Sequence, residues 1–234
     1  MQTLATWIAG HPVSVFYILL SVSLLINRLP VVGVFFRTVN TLLHESGHAL
    51  GAILTSGEVI RIDIKKDTSG VAQTKSNSRF RAFIVSIAGY PFAALAGSFL
   101  LALAINEQNR LVLLILLSIM LIDLMLFVRN AYGIAWLLIF STLLIFIAWF
   151  QHSLLTHLFV LFICMIAFTE TFWSTITVTI LGIMQPRKSG DPWNMQKTTG
   201  IPAAFWALVI FAMVMWIMYY TISHYFPAIS QLFV

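Results

Sequence analysis

Charged residues punctuate this chain in clusters and leave long stretches without any. No Asp, Glu, Lys or Arg occurs in 1–27, 82–106, 130–169 or 198–234. Each gap can hold at least one helix crossing a hydrocarbon layer, which takes about 20 apolar residues. Breaks at polar clusters, Pro and Gly divide the chain into about seven predicted helices, near 12–27, 31–55, 80–105, 111–128, 132–150, 154–183 and 201–226. The gap 130–169 is too long for one crossing, and Gln151, His152 and Ser153 supply its turn. Two connections stand out. Between the second and third helices Ile60, Ile62 and Ile64 alternate with Arg61, Asp63 and Lys65, and Asp67, Thr68, Ser69 and Gly70 are turn formers, which predicts a β-hairpin over 58–75. The connection 184–200, with Pro186, Asp191 and Pro192, is predicted to be a polar loop. The fold class expected is an all-α polytopic membrane protein with one small hairpin, a single membrane-embedded domain over 1–234.

Composition agrees: with 60% hydrophobic and 9% charged residues the chain cannot present a soluble surface. The formal net charge of +5 would suggest a nucleic-acid partner in a soluble protein, but no soluble basic domain exists here to bind one. The positive charge has a topological meaning instead. Of 13 Lys and Arg, ten fall in 56–81, at Arg129 and in 184–200, whereas Arg28 and Arg110 are the two on the opposite side and Arg37 lies within the second helix. Positive charge is retained on the cytoplasmic side, so the N-terminus, hairpin and 184–200 loop are expected there, with the C-terminus outside. The first apolar stretch lacks the basic flank and cleavage site of a secretory signal and is read as a retained span. Cys164 is the lone cysteine, which excludes an internal disulfide or a Cys-based zinc site; any metal must be held by His, Asp or Glu.

The second helix carries His44, Glu45 and His48, an H-E-x-x-H element. Four helical residues turn through about 400°, so the two imidazoles share a face one turn apart and can grip one ion. Six His and four Glu among 234 residues give a chance expectation of about 0.003 for the pattern. A merely structural hydrogen-bonded trio would explain the same residues, but three ionisable groups within five positions of a membrane helix are costly unless paired or functional. Glu45 sits about 100° around the helix from His44, beside a bound water rather than on the metal.

These residues, in the run Leu42-Leu43-His44-Glu45-Ser46-Gly47-His48-Ala49-Leu50, resemble the site-2 protease family of intramembrane zinc metalloproteases, most closely its compact bacterial branch. Gly57 and Ser69-Gly70-Val71 of the hairpin, Ala88-Gly89-Tyr90, Arg129-Asn130-Ala131-Tyr132-Gly133, Ser189-Gly190-Asp191 and Thr199-Gly200-Ile201-Pro202 extend the resemblance over about 180 residues. It implies Zn2+ as cofactor, Glu45 as the catalytic base, and hydrolysis of peptide bonds in a membrane-protein segment, as in regulated intramembrane proteolysis. It also implies a multi-pass protein of a bacterial cell membrane, with the lipid bilayer around it and the active site nearer the cytoplasmic side.

A catalytic zinc usually takes three protein ligands and a water, so one is missing. The Asn-Pro-x-x-x-x-Asp-Gly stretch that supplies it in well-studied relatives is absent from this sequence. Asp191, Asp123 and Glu170 are the candidates. Asp191 ranks first because it lies in a resembling motif on the metal's expected side; its plainer reading is a turn residue before Pro192. Asp123 would otherwise pair with Arg129 or another span, and Glu170 with a neighbouring helix. Asn130 is a candidate donor to a tetrahedral oxyanion or a simple turn former. His152, His157 and His224 read as interfacial, and Arg37 as snorkelling or paired. A helical substrate must unwind to be cut, and the segment 59–65 is expected to hold the extended stretch as an added strand. The rival class is a non-catalytic membrane protein, either a metal-binding transporter or an inactive protease-like partner.

Overall fold

The charge-free stretches become helices because a backbone removed from water must satisfy its own N–H and C=O groups, which an apolar helix does internally. The computed structural model describes residues 4–150, 152–228 and 230. In chain order the elements are α1 (Leu4–Gly10), α2 (Pro12–Ile26), α3 (Val32–Leu54), β1 (Glu58–Ile64), β2 (Gly70–Lys75), α4 (Arg79–Ile105), α5 (Asn109–Leu126), α6 (Ala131–Trp149), α7 (Ser153–Met184), a 3-10 turn (Pro186–Lys188), α8 (Asp191–Thr199) and α9 (Ala203–Tyr225). All seven predicted helices are present. Among the described residues five of them, α4 to α7 and α9, are long and apolar enough to cross a membrane. At 1.5 Å per residue the 15 residues of α2 reach about 22 Å, short of a hydrocarbon core of about 30 Å. The 23 residues of α3 are long enough but carry Arg37 and the His-Glu-His element. Seven is therefore an approximate count of spans. Gln151, expected in the turn before α7, lies outside the described residues.

At the centre α3 packs along α4, and α4 along α7 and α9. The approach of α3 to α4 is set by small residues. A Cβ on Gly47 would stand 2.7 Å from the Phe92 Cβ, and one on Gly51 would stand 3.0 Å from that of Ala88. Small residues one turn apart let membrane helices meet backbone to backbone, where lipid offers no hydrophobic drive to associate.

The hairpin pairs β1 and β2 antiparallel, from Glu58 with Lys75 to Ile64 with Gly70, and slips register between Val59 and Arg61. That irregularity leaves Ile60 unpaired and turns it outward, 54% exposed, while Ile62 and Ile64 are fully buried. Strict alternation would have put all three on one face. The other edge of β1 is also occupied. The Ile62 N–H donates to the Phe127 carbonyl (2.8 Å), the Arg129 N–H donates to the Ile62 carbonyl (3.3 Å), and the Asn130 amide brackets Ile64, accepting from its N–H at 3.0 Å and donating to its C=O. The Arg129 guanidinium meanwhile caps α5 through the carbonyls of Leu126 (2.7 Å) and Val128 (2.9 Å), not Asp123. The outer edge of β1 is thus engaged at Ile62 and Ile64, and the free edge of the hairpin belongs to β2.

The predicted loop 184–200 contains a helix. Asp191 and Pro192 occupy the first turn of α8 and Gly200 ends it in the left-handed conformation (φ 79°). Proline in the first turn and glycine after the last are the ordinary start and stop signals of a helix. Asn130→Ala removes both bonds to the Ile64 backbone and is expected to destabilise the protein by about 1–3 kcal/mol, read as a shift in detergent-phase denaturation.

Candidate metal centre

On α3, His44 and His48 stand one turn apart as their spacing requires, and their Nε2 atoms are 3.0 Å from each other. Asp191 Oδ2 lies 3.2 Å from each of them. Among the described residues these three form the one group of His, Cys, Asp or Glu that could hold a metal ion. Three ligands each about 2.0–2.1 Å from a tetrahedral zinc would stand about 3.3 Å apart, so the observed triangle has the right size. The donor set of two imidazoles and a carboxylate is also one that zinc accepts in hydrolytic sites.

Each member is held by the fold. His48 Nδ1 lies 2.7 Å from the Val85 carbonyl of α4. A carbonyl only accepts, so Nδ1 carries the hydrogen and Nε2 keeps its lone pair for the centre of the triangle. His44 rests edge-on against Tyr90, with ring centroids 4.4 Å apart. Between these two contacts comes Gly89, where a Cβ would stand 2.6 Å from both His44 Cε1 and His48 Nε2. Asp191 enters from α8, which is pinned to the start of α9: the Ala203 N–H donates to Gln196 Oε1 (2.7 Å), the Trp206 indole donates to Thr199 Oγ1 (3.0 Å), and Met195 is fully buried. Burial alone would raise the Asp191 carboxyl, but His48 and His44, when protonated, outweigh it and hold the group below the usual carboxylate range.

Glu45 is only 3% exposed and faces the hairpin. A Cβ on Gly70 would stand 2.6 Å from Glu45 Cγ, so β2 begins with the one residue that fits against that carboxylate. The hairpin tip is fastened over the site: the Thr41 hydroxyl donates to the Thr68 carbonyl at 2.7 Å, and Asp67 accepts from the Ser69 hydroxyl (2.6 Å) and N–H (3.0 Å), which keeps its own carboxyl below the ordinary range. These parts enclose a cavity of about 380 Å3 walled by α3, the hairpin tip and β2, α4, α7 and α8, with His44, Glu45, His48 and Asp191 all on its surface. That is enough room for a short stretch of peptide.

The remaining candidates lie elsewhere. Asp123 accepts from the Ser46 hydroxyl at 2.6 Å, and Glu170 pairs with Arg28 at 3.1 Å. Arg37 donates to the Asn27 carbonyl (3.3 Å). Asn130 brackets Ile64, with its Oδ1 and one N–H engaged on that backbone. His152 caps α7, His157 contacts Asn109 at 3.2 Å, and His224 stacks on Tyr220. Asn40, Thr41 and Ser174, which also line the cavity, were not singled out from the sequence. The available signal was helical spacing, since Asn40 and Thr41 precede His44 by four and three residues on the same face.

The profile of a family described as peptidase M50B-like matches residues 5–221 of this chain. No curated protein and no solved structure matches it. The geometry makes Gly89 indispensable to the triangle. Gly89→Ala is expected to push the imidazoles apart and abolish most divalent-metal binding, whereas Gly97→Ala, whose Cβ would have 3.9 Å of clearance on the same helix, retains it; metal content of the purified variants checks both.

Proposed function

The chain belongs to the peptidase M50B-like family and is a metallopeptidase of multi-pass membrane type; from this premise we propose that it is a site-2 protease-like enzyme that uses zinc to hydrolyse peptide bonds of membrane-protein segments. The observation that carries the proposal is the triangle of His44, His48 and Asp191 with edges of 3.0–3.2 Å, beside a buried Glu45 in the same cavity. In this reading His44, His48 and Asp191 hold the ion and Glu45 is the base. Zinc bound there lowers the pKa of a water towards about 7 and polarises a carbonyl.

The chain's own groups do the rest. The Glu45 carboxylate takes a proton from the attacking water and delivers it to the leaving nitrogen. Its place between α3 and β2 fixes its direction, and its burial keeps bulk water from competing for that proton. Substrate main chain must be extended to be cut, because a helix hides its carbonyls in i to i−4 bonds. The strand expected to receive it, 59–65, has both edges engaged, so the extended stretch lies instead along β2, whose Gly70, Val71, Ala72 and Thr74 face the cavity.

The Lys and Arg distribution puts the hairpin and α8 on the cytoplasmic side, and with them the metal. A membrane-impermeant thiol reagent added to intact cells is expected to leave Thr68→Cys and Ser189→Cys unlabelled in a Cys164→Ser background; ready labelling of both would invert the topology. In proteoliposomes with a membrane-spanning peptide substrate, Glu45→Gln is expected to retain zinc and lose activity about 10²–10⁴-fold. His44→Ala, His48→Ala and Asp191→Ala should lose zinc as well, while Asp123→Ala keeps it. Undiminished cleavage by Glu45→Gln would reject the mechanism, and zinc loss in Asp123→Ala but not in Asp191→Ala would move the third ligand.

A further inference from the structure

One polar group in the cavity wall has no task in the chemistry above. Asn40 stands one helical turn before His44, lines the same cavity and is only 5% exposed. Its Oδ1 lies 2.7 Å from the Thr171 hydroxyl of α7. That hydroxyl also lies 2.9 Å from the Ala167 carbonyl and shares its proton between the two acceptors, with the Asn40 amide oxygen towards α7. The Asn40 NH2 group is then left without a partner among the described residues. That group is not among the fully buried atoms without a partner, so on the cavity wall it is open to an acceptor that arrives from outside.

Neighbouring donors are already engaged. The hydroxyls of Thr41, Ser86, Ser174 and Ser189 donate to the carbonyls of Thr68, Ala82, Thr171 and Pro186. No Lys or Arg lines the cavity. Tyr90, Thr74 and Asn194, all less buried than Asn40, are the other side-chain donors of the wall without a partner among the described residues. An extended peptide brings acceptors of one chemistry at every residue, its main-chain carbonyls. Each one freed from a membrane helix must find a donor again, because an unsatisfied carbonyl in a dry site costs several kcal/mol.

Resting on the metalloprotease reading, we propose that Asn40 is a substrate-binding residue whose Nδ2 donates a hydrogen bond to a main-chain carbonyl of the peptide beside the scissile bond. β2 then holds one side of the extended stretch and Asn40 of α3 the other. The bond is independent of substrate side chains, so it contributes affinity for unwound peptide of any sequence rather than selectivity among sequences.

The test compares the full-length protein in detergent with two probes, a peptidyl hydroxamate and acetohydroxamate, which share a zinc-binding head but differ in the peptide main chain. Asn40→Asp keeps the size of the side chain and its contact with Thr171 but has no free N–H, and Asn40→Ala removes the group. Both are expected to bind the peptidyl compound about ten-fold or more weakly than wild type, to bind acetohydroxamate as wild type does, and to keep wild-type zinc content. Wild-type affinity for the peptidyl compound in both variants would overturn the assignment, as would loss in Asn40→Ala that Asn40→Asp restores, since that pattern marks a space-filling role. An equal loss for both probes, or a loss seen in Tyr90→Phe and not in Asn40→Ala, would overturn it too. Wild-type protein that takes up zinc and binds both probes confirms the parent reading independently; protein that does neither removes that reading and this one together.

Discussion

Two imidazoles and a carboxylate must converge to about 3 Å of one another inside a bundle whose outside is lipid, and most of the architecture follows from that demand. In such surroundings an ionisable group without a partner is costly. The protein meets the demand by supplying the three groups from distant parts of the chain, two from α3 and one from α8, and by holding them through contacts with neighbouring elements. His48 leans on the Val85 carbonyl, α8 is tied to the first turn of α9, and Gly89 vacates the space between the rings. The same principle disposes of the carboxylates outside the triangle: Asp123 has Ser46 and Glu170 has Arg28.

The hairpin answers a second requirement, that a strand edge not be left bare. β1 is sealed on one side by β2 and on the other by the turn between α5 and α6, with the Asn130 side chain standing in for a strand backbone against Ile64. Only β2 keeps an unpaired edge, and it opens on the cavity where Glu45 lies. An edge that would be a liability on a lipid-facing surface becomes a place where an extended chain can be received.

Much of this was legible in the residues. Charge-free stretches located the helices to within a few positions, the alternation at 60–64 with the turn formers after it gave the hairpin, and the spacing of His44 and His48 gave their shared face. Asp191 was ranked above Asp123 and Glu170 by its motif and its expected side of the membrane, and it is the carboxylate that meets the imidazoles in the fold. What stayed hidden depends on contacts distant in sequence. Ile60 looks like its neighbours until a register slip turns it outward. The helix α8 was concealed by the polarity of its sequence, although Pro192 and Gly200 marked its ends. Asn40 carries no motif at all; its place one turn before His44 acquires meaning only when Thr171, 131 residues later, takes its oxygen.

The tie between α8 and α9 bears on when during synthesis the protein becomes competent. His44, Glu45 and His48 leave the ribosome early, but Asp191 is positioned through Gln196 and Thr199, whose partners Ala203 and Trp206 belong to α9. Spans are made and inserted in chain order. Until α9 is made, the nascent polypeptide carries His44 and His48 without the carboxylate that meets them in the fold. The triangle of side chains can therefore form only once α9 has been made, about 160 residues after His44.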